Sequence, residues 1–227
     1  MCYFHLAMTT KAMTFYSTSV GKKVVMAITG FIAWGWVTVH MLGNMQIYIG
    51  PERLNDYGAM LHGLGGILWV LRGMMAAVII IHLVAATQVT LQSIDARPTR
   101  YKIHRFRETT YAARTMWFGG PLIGIFVIYH LMHLTLGTVH PDFTENVYNN
   151  VVFGFRVPWV SGVYVVAMIF LGLHLYHGLW SMFQSMGASH PKWNKWRKAF
   201  AVLFCLVIAG GNISIPVAVL TGLIQPV

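Results

Sequence analysis

Long apolar runs dominate this chain, with little of the polar-face alternation of a soluble fold. Residues 24–48, 66–91, 116–139, 159–186 and 200–224 are each apolar around nearly the whole circumference of a helix. A bilayer core takes about 20 apolar residues in a helix. Helices that are hydrophobic on every face belong in lipid or in a large buried core. The pattern predicts an all-α integral membrane protein, with residues 1–227 forming one membrane domain of five transmembrane helices. The first run carries no formal charge, and the second holds Arg72 near its start. Lys22 and Lys23 stand just before a full-length span, which is not the layout of a cleaved signal peptide.

Composition agrees and removes other classes. Apolar types make up 56% of the 227 residues and charged types 10%, with a mean hydropathy of +0.60. Soluble domains carry about 25% charged residues, and six acids cannot solvate a globular surface of this size. Disorder needs low hydrophobicity. The net charge of +10 comes from basic residues scattered between apolar runs, which points to a membrane surface and not to nucleic acid. Two cysteines, Cys2 and Cys205, cannot hold an iron–sulfur cluster, which takes four ligands. No C-x-x-C-H occurs, so covalent haem attachment is excluded.

Charge also predicts orientation. Sorted by loop, one side of the membrane holds the N-terminus and the loops after spans two and four, with a net charge of +11. The other side, with Arg53, Arg72 and Arg156 against Glu52, Asp56, Asp142 and Glu145, carries −1. Cytoplasmic loops carry the excess of Lys and Arg, so the N-terminus is expected in the cytoplasm of a cell inner membrane and the C-terminus outside.

Eleven histidines are many for so apolar a chain, and six lie within spans: His40, His82, His130, His133, His174 and His177. A lone histidine at membrane depth most often makes an interhelical hydrogen bond. Six over four helices call for more. At 1.5 Å per residue, His40 and His130 lie about 24 and 21 Å above the inner surface. His82 and His174 lie about 14 and 18 Å above it. Each pair joins two helices, as bis-imidazole ligation of haem iron requires. His133 and His177 follow His130 and His174 by three residues and share roughly a face with them, so either could be the ligand instead. Gly30, Gly43, Gly124, Gly172 and Gly178 would admit a flat macrocycle, or only close helix packing.

These residues resemble the membrane cytochrome b subunit of succinate:quinone oxidoreductases, of the type with five helices and two b haems. The matching pieces are Ser19-Val20-Gly21-Lys22-Lys23, Val39-His40-Met41-Leu42-Gly43-Asn44, Ile81-His82, Tyr129-His130 and His174-Leu175-Tyr176-His177-Gly178-Leu179-Trp180-Ser181. The resemblance spans essentially the whole chain. It implies His40 with His130, and His82 with His174, as axial ligands of two haem b groups, leaving His177 as a neighbour. It further implies a flavoprotein subunit carrying FAD, an iron–sulfur subunit, and a quinone, commonly menaquinone, with higher oligomers open. The chain would carry electrons between the iron–sulfur subunit and the quinone, in succinate oxidation or fumarate reduction. Some relatives place a glutamate two residues before the fourth ligand; here Gly172 stands there and no acid occurs in any span. The nearest rival is the cytochrome b subunit of another membrane oxidoreductase, such as a formate dehydrogenase, hydrogenase or nitrate reductase. A haem-free transporter would be expected to carry intramembrane acids or broken helices.

Further candidates surround the ligands. Arg72, Gln88 and Gln184 could serve haem propionates, with snorkelling as the plain reading of Arg72 and mutual or backbone hydrogen bonds as that of the glutamines. Glu52, Asp56 and His62 at the outer side, and Ser19 and Lys23 at the inner side, could flank a quinone; an acid or histidine could take its proton. The plain readings are solvated loop residues and, for Ser17, Thr18 and Ser19, a helix cap. The basic run from Arg97 to Arg114 sets topology and attracts anionic membrane lipid, and could also dock the iron–sulfur subunit.

Overall fold

The computed structural model describes residues 15–97, 99 and 109–227. The basic residues Lys11, Arg100, Lys102, Arg105 and Arg107, with Cys2, His5, His104 and Glu108, lie outside the described residues. Within them the chain is all-helical, with five helices long and apolar enough to cross a membrane. In chain order the helices are α1 (Ser19–Asn44), α2 (Pro51–Gly63), α3 (Gly66–Asp95), α4 (Tyr111–Leu134), α5 (Val147–Arg156), α6 (Pro158–Ser185) and α7 (Asn194–Leu220). The spanning helices are α1, α3, α4, α6 and α7; a 3-10 turn, Met45–Tyr48, extends α1.

Local chemistry sets the ends. Thr18 caps α1: its Oγ1 accepts from Gly21 N–H at 2.9 Å, and its hydroxyl donates to Phe15 O at 2.8 Å. Ser19, one of the expected inner quinone contacts, is therefore the first helical residue, and it is exposed. Thr110 caps α4 in the same way, accepting from Ala113 N–H. The third apolar run extends in sequence to residue 139, but α4 stops at Leu134. Gly137 turns the chain there with φ +71°, where a Cβ would collide with the Phe143 ring. The apolar content of residues 135–139 thus belongs to a turn, which hydropathy alone does not distinguish from a last helical turn.

Two short helices, α2 and α5, occupy segments that the hydropathy pattern leaves as loops. Pro51 starts α2, where a missing N–H costs nothing. Asn146 caps α5 by accepting from Asn149 N–H at 2.9 Å. Both pack at the end of the bundle away from the N-terminus, called here the far end. There Leu54, Tyr148, Val152, Phe155, Tyr164, Ile215 and Val219 form the main buried cluster. Asn55 Oδ1 accepts from Tyr148 N–H at 2.9 Å, fixing α2 to α5.

Helix α6 is the hub, packed on α7, α4 and α1, while α1 also lies along α3. Helices α3 and α4, neighbours in sequence, scarcely touch. Large apolar side chains such as Phe31, Val70, Ile80, Ile125, Ile128 and Leu203 face outward, as lipid-facing surfaces do.

Candidate functional site

Four of the five spanning helices contribute one histidine each to two facing pairs. On the far half, the His40 ring of α1 and the His130 ring of α4 lie with centroids 5.6 Å apart and planes at 88°. On the half nearer the N-terminus, His82 of α3 and His174 of α6 lie 6.1 Å apart at 65°. The second pair sits at the level of Met26 and Thr29 of α1. The eleven residues from Thr29 to His40 separate the two levels by about 16 Å.

Hydrogen bonds fix ring tautomers. His82 Nδ1 lies 3.1 Å from Met26 O, which can only accept, so Nδ1 carries the proton. Thr29 Oγ1, whose hydroxyl donates to Val25 O at 2.8 Å, is a second acceptor 3.1 Å from the same nitrogen. The Nε2 lone pair of His82 is left for a ligand, the arrangement usual in metal-binding histidines. His130 turns its Nδ1 to Tyr164 Oη at 3.2 Å and likewise keeps Nε2. His174 Nδ1 is buried without a hydrogen-bond partner. His40 differs: Asn44 Nδ2 donates to its Nε2 at 3.1 Å, so that nitrogen must release Asn44 to bind anything else.

No family model matches the chain, and no curated protein or solved structure matches it either.

The residues themselves can be tested against bis-imidazole ligation. Metal–imidazole bonds run about 2 Å, so rings on opposite faces of one iron have centroids about 6 Å apart. The observed 5.6 and 6.1 Å are close to that spacing. Small residues adjoin the inner pair: a Cβ on Gly30 would lie 3.2 Å from His82 Cε1, and one on Gly120 4.0 Å from His174 Cε1. Gly124 and Gly178 have no atom within 4 Å of an added Cβ. Gly43 and Gly172 serve packing instead, against the Tyr57 ring and Ala209 Cβ. Among the described residues no three His, Cys, Asp or Glu converge as a polydentate metal site. Two-point ligation by facing histidines is what the donor set can offer.

His133 stands apart from the pairs. It is fully buried, with its ring stacked on Tyr129 (5.7 Å, 8°) and His140 (4.9 Å, 25°). Its Nδ1 lies 3.0 Å from Tyr164 Oη, and its Nε2 is buried without a partner. His140 is oriented by its Nε2–H donating to Asn150 O at 2.8 Å and by Asp142 N–H donating to its Nδ1. His177, one turn beyond His174, is half-buried.

The other expected residues do not converge. Glu52 and Asp56 are exposed one turn apart on α2, and His62 lies about 100° around the helix from them. His62 donates from Nδ1 to Gly58 O at 2.8 Å. Arg72 is half-buried, its guanidinium 5.0 Å over the Trp69 ring. Gln184 is exposed, whereas Gln88 buries its Oε1 without a partner, so the two glutamines do not bond each other. At the N-terminal end Lys23 is exposed and Lys22 is the buried lysine, 7% accessible, donating to Ser17 O at 3.2 Å. Lys22 and Gln88 line a shallow, open depression with Tyr16, Ser17, Leu91, Gln92 and Asp95. Sequence reasoning missed Tyr164, Thr29, Asn44 and the burial of Lys22. A polar tip in an apolar helix was the available signal for Tyr164; nothing in the sequence separates Lys22 from Lys23.

Proposed function

We propose that this chain is a dihaem cytochrome b membrane anchor, His40 with His130 and His82 with His174 holding two haem b groups. The observation that carries the reading is the pairing itself: two sets of facing imidazoles on four helices, at two levels, three of the four rings with Nε2 free of any hydrogen bond. Intramembrane histidines that serve only packing are expected to satisfy their nitrogens with neighbours. Here His82 and His130 each engage Nδ1 and leave Nε2 open.

Bound haem supplies one-electron redox chemistry. The protein's part is to position and insulate. His82 is aimed by Met26 O and Thr29, and Gly30 and Gly120 leave room beside the inner pair. Apolar helices keep the sites dry, which together with axial ligation tunes the iron. Two levels across one bundle suit electron transfer from one membrane face to the other.

By the resemblance of its histidine motifs, the chain belongs in this reading to a succinate:quinone oxidoreductase. The N-terminal end then faces the cytoplasm and the partner subunits, whose FAD and iron–sulfur clusters perform the succinate–fumarate chemistry. Menaquinone is the quinone proposed. Lys22 and Gln88 lie at the end where the iron–sulfur subunit would dock. Glu52 and Asp56 are the two acids proposed, among those at the far end, to take a quinol proton.

The test is spectroscopic. The purified protein should give a b-type reduced-minus-oxidised spectrum and about two haems per chain, one for each histidine pair. His82→Ala and His174→Ala should each remove one and the same haem, while His40→Ala and His130→Ala remove the other. A folded, haem-free preparation from haem-replete cells would overturn the reading. Co-purification of a flavoprotein with succinate-to-quinone activity tests the complex.

A further inference from the structure

Resting on the dihaem reading, we infer that Tyr164 and His133 are positioning residues that set the redox potential of the far haem through its ligand His130. Tyr164 is 6% accessible and reaches from α6 to α4. Its hydroxyl is shared between two imidazole nitrogens, His130 Nδ1 at 3.2 Å and His133 Nδ1 at 3.0 Å. A phenol has one proton to give and lone pairs to accept with.

The direction of the chain follows from ligation. With Nε2 given to iron, His130 carries its proton on Nδ1 and must donate to Tyr164 Oη. The phenol proton is then left for His133, whose Nδ1 accepts it. His133 in turn holds its own proton on Nε2, the atom that is buried without a partner. Each donation polarises the next, so a Tyr164 that gives its proton to His133 is a stronger acceptor for His130. A stronger acceptor on Nδ1–H makes the imidazole a more basic ligand, which favours ferric iron and lowers the potential.

The arrangement is held from behind. His133 is clamped between the Tyr129 and His140 rings, and Gly154 alone gives its far edge room: a Cβ there would stand 2.6 Å from His133 Cε1. His82 finds its acceptors on its neighbouring helix backbone and a threonine. The inner haem therefore has no corresponding phenol and serves as the internal control.

The experiment is a redox titration of the membrane-bound or purified dihaem protein, following the two α bands separately, with EPR of the low-spin ferric haems. Tyr164→Phe keeps the ring and removes the hydroxyl. The expected result is full haem content, an unshifted inner haem, and a far haem whose reduced-to-oxidised ratio at fixed potential rises about tenfold, or about 59 mV upward. His133→Leu should move the same haem in the same direction by less. The double variant should move it no further than Tyr164→Phe alone, because His133 acts through the phenol. Should Tyr164→Phe fail to accumulate, His133→Leu carries the test by itself. A far haem shifted less than twofold in ratio, or both haems shifted equally, overturns the inference while leaving the dihaem reading intact. Absence of haem from the wild type would overturn that reading instead.

Discussion

Gly154 lies inside α5, and alanine there should destabilise the protein even though alanine is the better helix former. A Cβ at this position would come within 2.6 Å of His133 Cε1, 2.8 Å of His133 Nε2 and 3.1 Å of His140 Nε2. Both rings are held in place: His133 is fully buried and bonded to Tyr164, and His140 is bonded to Asn150 and Asp142. Overpacking of this kind costs about 1–3 kcal/mol. The gain in helix propensity offsets roughly 0.5–1 kcal/mol of it. The net expectation is a loss of about 0–2.5 kcal/mol, centred near 1 kcal/mol, with displacement of His133 from Tyr164. Gly162 of α6 is the matched control, since a Cβ there meets nothing within 4 Å; its alanine variant should be neutral or more stable by up to about 1 kcal/mol. Equilibrium unfolding in mixed micelles, followed by helical circular dichroism, measures both. Equal stability of Gly154→Ala and wild type, or equal damage from the two alanines, would refute the packing argument.

Two further outcomes follow from the same geometry. Asn44→Ala removes the donor on His40 Nε2, so on the dihaem reading haem added to apoprotein should load the far site more tightly; weaker loading in a binding titration would show that Asn44 supports the proposed ligand and does not compete for it. Thr18→Ala removes the cap on Gly21 N–H and should cost about 1 kcal/mol in the same unfolding assay, whereas Ser19→Ala should lie within about 0.5 kcal/mol of wild type.

Much of the architecture was legible because lipid imposes a simple rule: length and hydrophobicity together mark a span. The five spanning helices stand where the apolar runs put them, displaced by a few residues at their ends. Depth arithmetic also paired His40 with His130 and His82 with His174, and those rings do face each other in the structure. The amphipathic caps α2 and α5 were not legible, since they are short and moderately polar, and take their stability from a shared far-end core. Nor was the fate of His133. Spacing puts it roughly on the His130 face, but whether a ring three residues on turns to the same partner depends on Tyr164, His140 and Gly154, residues distant in sequence. Lys22 and Lys23 look alike on paper, and only the fold of residues 15–18 over α1 buries one and leaves the other exposed.

The central place of α6 bears on how such a protein is made. Helix α1 can lie against α3 as soon as both have left the ribosome, but α4 scarcely touches α3 and packs instead on α6. His174 and Tyr164 both arrive with α6. During synthesis at roughly 5–20 residues per second, the first three spans are made, carrying His40, His82 and His130, before the helix on which α4 packs. Insertion of the fourth span brings His174 to the inner pair and Tyr164 to the far one. On the dihaem reading, haem capture would wait for α6, and a product truncated before α6 would lack the inner ligand His174 and the far-end Tyr164.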